Sequence, residues 1–283
     1  MKKRILVLID FSENSWTAMR YAAYLAQTLN WTLHLLHNYS DSLKDKIDHH
    51  FEGVPPVSKK EKAEFGLNEW GSRVQQEFTG LTYETICLPG KLTETVSNLL
   101  SQDQYSFVVM GAKGGSKIKL TLLGSNTVAL IKSCPIGILA VPLKMPKFRL
   151  KNVGMLTNFK DSEFDLLEGV KDNLSLEFNL DLLHVTQGYK SVHQQDVDQL
   201  KRKSAIMFPL SHINYVEKNA VYRLDYRMPI PSCVDYMIRS RAIDLLLVSY
   251  NQKSFFKQLF SRSLKKAIYQ NLSIPTYFRR TAG

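Results

Sequence analysis

The chain has 283 residues, 44% of them hydrophobic, and a formal net charge of +11. That length suffices for two ordinary cores, while the apolar runs stop after about five to eight residues, well short of the roughly twenty a membrane-crossing helix needs, so no integral membrane association is expected. Cys87, Cys134 and Cys233 are odd in number, widely spaced and without a CxxC pair, which argues against a disulfide framework and a zinc knuckle and leaves them as reduced packing residues.

Met1 to Ile9, three basic residues followed by the apolar run Ile5 to Ile9, imitates the start of a signal peptide. Asp10 interrupts it before the usual ~7 apolar residues and no small-residue cleavage site follows, so it reads as the first strand of a cytoplasmic protein. Asp10-Phe-Ser12 ends that strand. Ser12 is placed to cap a helix over about Glu13 to Leu29, whose Trp16, Met19, Ala23 and Ala26 form an apolar stripe. Trp31 to Tyr39 is the next strand. Ser42 to Lys62, charged and containing Val54-Pro-Pro56, reads as an irregular insertion before a second helix over roughly Glu61 to Phe78. Leu81 to Leu88 is a third strand, Lys91 to Ser101 a third helix and Ser106 to Met110 a fourth strand. A glycine segment, a helix from about Ser125 to Lys132 and a fifth strand, Gly137 to Val141, complete the series. Strict alternation predicts a mostly parallel sheet covered on both faces, with ligands bound beyond the carboxyl ends of the strands.

The plan then repeats. Lys3 to Phe11 matches Lys151 to Phe159 and Leu33 to His37 matches Leu180 to His184, at an offset of about 147. Tyr105 to Met110 matches Ala242 to Val248 and Cys134 to Val141 matches Ile274 to Phe278, at about 138. Two tandem α/β domains are expected, 1–146 and 147–283, with the boundary in Lys144 to Arg149.

The segment Gly111 to Thr127 reads GAKGGSKIKLTLLGSNT, and no acid lies between Asp103 and Asp161. Its Gly111, Gly114 and Gly124 let the backbone approach an anion closely, and the helix starting near Ser125 offers free N–H groups and the positive end of its dipole. Lys113, Lys117 and Lys119 add charge. The plainer reading is a tight βα turn with solvated lysines. The second half is the more basic, with 21 Lys and Arg against 13 Asp and Glu, compared with 16 against 13 in the first, and it has no acid after Asp244. Such a field attracts polyanions without choosing among nucleotide, nucleic acid and acidic lipid.

The spacing G-x2-G-x9-G-S, followed by a helix and by Pro135-Ile-Gly-Ile-Leu-Ala-Val141, resembles the nucleotide-binding signature of universal stress proteins, as do Asp10-Phe-Ser12 and Leu35-Leu-His37-Asn38. With the repeat, the resemblance extends over the whole chain as a tandem member of that family. It implies two nucleotide-binding-like domains, each a five-stranded mostly parallel sheet with helices on both faces, ATP (or AMP or ADP) with Mg²⁺ in some members, and domains paired through their fifth strands. Carried over by position, Asp10 approaches the ribose and Ile9 and Asn38 border the adenine. Gly111, Lys113, Gly114 and Gly124 line the phosphates, and Ser125 and Asn126 donate at the helix start. Asn38 departs from the apolar residue expected there.

In the second half Asn158 replaces Asp10, and Gly111, Gly114 and Gly124 become Ser249, Gln252 and Arg262, while Ser125 persists as Ser263. Side chains where backbone must meet phosphate predict no nucleotide there. Lys253, Lys257, Lys265 and Lys266 keep that stretch basic, and Phe255 and Phe256 beside them fit either a buried helix face or a surface for lipid, nucleic acid or protein. His34 and His37, three apart on a strand, point to opposite faces and do not make a metal pair. His49-His50 lacks nearby cysteine. No catalytic motif is found, and beside the glycine segment only Asp10 could serve as a base or Mg²⁺ contact, so at most slow ATP hydrolysis is expected. Three functions stay open: a stress-response nucleotide switch using the first half only, a partner-binding scaffold, or an anionic-ligand binder using the basic second half. Pairing of the halves within one chain is expected, with a homodimer and a protein partner as further options.

Overall fold

The computed structural model describes residues 3–39, 58–102, 105–112, 123–145, 147–161, 163–171, 177–187, 192–208, 210–222, 227–250 and 273–281. In chain order the first half forms β1 (Arg4–Ile9), α1 (Glu13–Leu29), β2 (Thr32–Tyr39), α2 (Lys59–Glu77), β3 (Thr82–Pro89), α3 (Leu92–Gln102), β4 (Tyr105–Gly111), α4 (Ser125–Ser133) and β5 (Gly137–Val141). The second half forms β6 (Asn152–Leu156), α5 (Glu163–Lys171), β7 (Phe178–Gln187), α6 (Gln194–Met207), β8 (Leu210–Tyr222), β9 (Arg227–Met228), α7 (Ile230–Ser240), β10 (Leu245–Tyr250) and β11 (Thr276–Arg280).

Each early boundary has a local cause. Ser12 accepts from the Ser15 N–H and starts α1, and Asn30 in the left-handed conformation ends it. The second helix begins at Lys59, two residues before the sequence reading, because Ser58 and Glu61 form a reciprocal capping box. Residues 42–57, the bulk of the expected insertion with His49-His50, lie outside the described residues.

The strands make one sheet of eleven in the order β3-β2-β1-β4-β5-β11-β10-β6-β7-β8-β9. Pairing is parallel except at two ladders: β11 on β5, and the short β9 on β8, which the sequence reading had not foreseen. The expected pairing of fifth strands is therefore present within one chain, with Thr276, Tyr277 and Phe278 opposite Ala140, Leu139 and Ile138. Gly137 makes room for it: a Cβ there would meet the Tyr277 ring.

Two apolar layers run across both halves. One packs α1, α2, α5 and α6 on one face, through residues such as Met19, Leu67, Leu167 and Leu200. The other packs α3, α4 and α7 on the opposite face, through Val96, Leu130 and Met237. Burying one such leucine contributes about 2 kcal/mol, whereas an exposed pair such as Lys60–Glu64 contributes under about 1 kcal/mol. The layers, and not the surface ion pairs, hold the helices down. The connection between halves is pinned as well. Phe148 packs on Tyr21 and Tyr24, and Asp244 accepts from the Arg149 side chain and from the Lys151 and Asn152 N–H groups. Among the described residues no helix is long and apolar enough to cross a membrane.

Candidate functional site

In the first half the sheet order reverses between β1 and β4, so their carboxyl ends splay around a crevice. The chain leaves β1 through Asp10 and turns at Phe11, whose φ of 58° is left-handed. The Phe11 ring lies 4.7 Å from His37, which helps hold that turn. His37 Nδ1 sits 2.8 Å from the Ile9 carbonyl, and since a carbonyl only accepts, Nδ1 carries the hydrogen. Asp10 Oδ1 accepts from Ser12 N at 3.1 Å and Ser12 Oγ at 2.5 Å. One carboxylate oxygen is thereby fixed, and the group stands exposed at the mouth of the crevice.

Across the crevice, Gly111 ends β4. Its lack of a side chain has a structural reason of its own, since a Cβ there would lie 2.5 Å from Asn14 Nδ2 and 3.1 Å from the Asn14 backbone. Beyond it, Gly124 N donates to the Ala112 carbonyl at 3.0 Å. The described ends of that segment, Ala112 and Gly124, are thereby joined; Lys113 and Gly114 lie outside the described residues. The next helix, α4, has Gly124 as its N-cap with no side-chain cap and no acid in its first turn. Unlike α1 and α2, it leaves its leading N–H groups without a side-chain acceptor.

These parts enclose a cavity of about 340 Å³, within the range of small-molecule sites. Ile9, Asp10, Asn38, Gly111, Gly124, Ser125 and Asn126, named from sequence on four separate segments, all line it. Leu8, Leu36, Leu92 and Met110 supply apolar wall that the sequence reading did not single out. Period-two spacing was the usable signal, for Leu8 shares a strand face with Asp10, and Leu36 with Asn38. Among the described lining residues Asp10 is the one charged side chain. The basic character expected of the site rests on Lys113, Lys117 and Lys119, outside the described residues. Asn38 departs from an apolar wall in a defined way, donating from Nδ2 to the Leu88 carbonyl at 3.1 Å and to Thr95 Oγ1 at 3.0 Å.

The second half repeats the frame and changes its contents. Phe159 turns with φ 58°, and His184 Nδ1 lies 2.8 Å from the Thr157 carbonyl, matching Phe11 and His37. Where Ser15 stands in the first half, the second has Glu163, 1% exposed. Its carboxylate accepts from Thr157 Oγ1 at 2.5 Å and Asn158 N at 2.8 Å. Burial pushes the Glu163 carboxyl upward, and the hydrogen bonds from Thr157, Asn158 and Lys160 oppose that push. Sequence reasoning missed this buried acid, which looks like an ordinary first-turn glutamate. Ser249 is the next-to-last residue of β10, before Tyr250; Gln252, Arg262, Ser263 and the basic stretch with Phe255 and Phe256 lie outside the described residues. His34 is a core residue, its Nδ1 2.9 Å from the Tyr105 hydroxyl. Among the described residues no three His, Cys, Asp or Glu side chains gather as a metal site.

Comparison with known proteins gives the same frame. The sequence pattern of the universal stress protein family matches residues 1–142. A universal stress protein from Archaeoglobus fulgidus DSM 4304 superposes with a TM-score of 0.68 at 16% identity, covering 98% of this chain and 98% of that one. A functionally unknown protein from Pseudomonas aeruginosa PAO1 superposes at 0.56 and 11% identity, covering 99% and 93%. At such identities the likeness is one of fold. No curated protein sequence matches the chain.

Proposed function

The chain belongs to the universal stress protein family, and from that premise we propose that it is a tandem stress-response protein whose first half binds ATP or a related adenine nucleotide as a switch. The observation that carries this reading is the convergence of seven residues, from the ends of β1, β2 and β4 and the start of α4, on one cavity of about 340 Å³. Apolar strand residues offer a seat for a base, while the side-chain-free backbone at Gly111 allows a phosphate close approach and the uncapped amino end of α4, beyond Gly124, offers it backbone N–H groups. Asp10 is the side chain that would meet an accompanying Mg²⁺, an ion that would supply neutralising charge to the phosphates. The second half, with Ser249 for Gly111 and the Glu163 carboxylate beneath the strand end, is read as a site without nucleotide. That carboxyl already takes the Asn158 N–H at the strand end, so this donor is not on offer to a phosphate. We take the domains as 1–146 and 147–283 and place the protein in the cytoplasm, with a protein partner as the reader of its state and a homodimer as a further level of assembly.

The test is direct. Nucleotide released on denaturing fresh protein is identified by mass spectrometry, and the emptied protein is titrated with MgATP by calorimetry. About one nucleotide per chain is expected. Gly124→Val should keep a cooperative melt and weaken binding at least about 100-fold, since its side chain covers the N–H groups of α4. Unchanged binding in that variant, or no binding of any adenine nucleotide at millimolar concentration, overturns the proposal.

A further inference from the structure

Asn38 stands on β2, on the same strand face as Leu36, at the wall of the first-half cavity. Its amide nitrogen donates to the Leu88 carbonyl and to Thr95 Oγ1. A carbonyl can only accept, so chemistry fixes which end of the amide points there, and two acceptors occupy both N–H groups. What the side chain has left to offer is Oδ1, a pure acceptor. Leu36 and Leu92 make the wall beside it apolar. Gly111 on β4 lies two strand spacings away across β1, about 10 Å, a gap that a ribose and the first phosphates bridge. An apolar wall with one oriented acceptor, at the β2 side of the cavity, is the recognition chemistry of an amino-bearing nucleobase.

Resting on the reading above that this cavity takes a nucleotide, we infer that Asn38 is the specificity-determining residue for the base. Its Oδ1 accepts a hydrogen bond from the exocyclic amino group of a purine, and the site prefers adenine to hypoxanthine. With hypoxanthine, Oδ1 would face the O6 acceptor and neither oxygen would find a donor, which disfavours binding by about tenfold or more. The second half shows the contrast within the same chain. His184 keeps the place of His37, and the next residue is Val185, which has no acceptor.

The experiment compares the affinities of ATP, ITP and purine riboside triphosphate for the full chain by calorimetry, then repeats the series on Asn38→Val. Unaltered protein should prefer ATP over both others by about tenfold or more, and Asn38→Val should bring the three within about threefold of one another. The first comparison needs no variant, so it stands even where Asn38→Val, having lost its bonds to Leu88 and Thr95, melts at lower temperature. Equal binding of ATP and ITP, tighter binding of ITP, or a preference for ATP that survives in Asn38→Val overturns the assignment and leaves nucleotide binding in place. Failure of all three ligands to bind the unaltered protein overturns the nucleotide reading and this one with it.

Discussion

At the end of β1, Ile9 and Asp10 border an open cavity; at the end of β6, Thr157 and Asn158 are tied to a buried carboxylate, Glu163. The frames around these two strand ends agree closely. A phenylalanine turns at φ 58° in each, and a histidine on the neighbouring strand holds the strand-end carbonyl at 2.8 Å in each. Duplicated backbone geometry has thus been kept while the side chains that would meet a ligand have diverged. The shared part is what the fold needs, for it fixes how α1 and α5 leave the sheet. The divergent part is where an anionic ligand would bind.

Exchanging residues between the halves is therefore the sharpest way to break this contrast, and Gly111→Ser, which installs the residue of β10, should have the largest effect. A Cβ at Gly111 meets Asn14 at 2.5 Å and its backbone at 3.1 Å, so overpacking should cost about 2 kcal/mol. The sequence position matching Asn14 is Ser162. Adding Asn14→Ser should then recover at least about 0.5 kcal/mol of that loss, as coupling between contacting residues predicts. Denaturant melts of the two single variants and the double variant measure it. Strict additivity would mean that Gly111 is not held small by Asn14.

A smaller effect is expected from Thr157→Val, which keeps the shape and removes the hydroxyl. Thr157 Oγ1 donates to Glu163 and accepts from the Phe159 N–H at 3.0 Å. Losing both leaves a buried carboxylate oxygen and a backbone donor unpaired, for about 1.5 kcal/mol of destabilisation. A chemical melt within a few tenths of the unaltered protein would show that Glu163 is held without Thr157, by the backbones of Asn158 and Lys160.

The order of elements in the first half was readable because strand and helix periods alternate cleanly and Ser12 sits directly before an apolar stripe. The seven described site residues came from the resemblance to the universal stress protein signature, carried by the spacing of Gly111, Gly114, Gly124 and Ser125, and all seven line one cavity. What stayed hidden depends on partners distant in sequence. Glu163 becomes buried only when α5 packs against β6, and nothing in Asp161 to Asp165 distinguishes it from solvated acids. The Asn38 amide is oriented by Leu88 and Thr95, some fifty residues away. The capping box at Ser58 is a local signal that the sequence reading passed over: Ser58-x-x-Glu61 starts α2 at Lys59, two residues before the expected Glu61.

The finest test of the contrast is the pH dependence of Glu163→Gln. Burial raises the Glu163 carboxyl above its ordinary value of 4.5, so the folded state holds its proton more tightly than the unfolded chain. Stability from this group is fully present below the unfolded value and is lost as pH rises through the folded one. A glutamine has no charge to bury and lacks that loss. The difference in melting temperature, variant minus unaltered protein, should therefore move in the variant's favour between pH 4 and pH 8. Taking the difference cancels the other titrating groups the two proteins share. The opposing force is explicit, for Thr157, Asn158 and Lys160 all stabilise the charged carboxylate. A difference that moves toward the unaltered protein with rising pH would mean those bonds outweigh burial. Glu163 would then be a permanent negative charge under the second strand end, and the contrast with the first half would be electrostatic even in the empty protein.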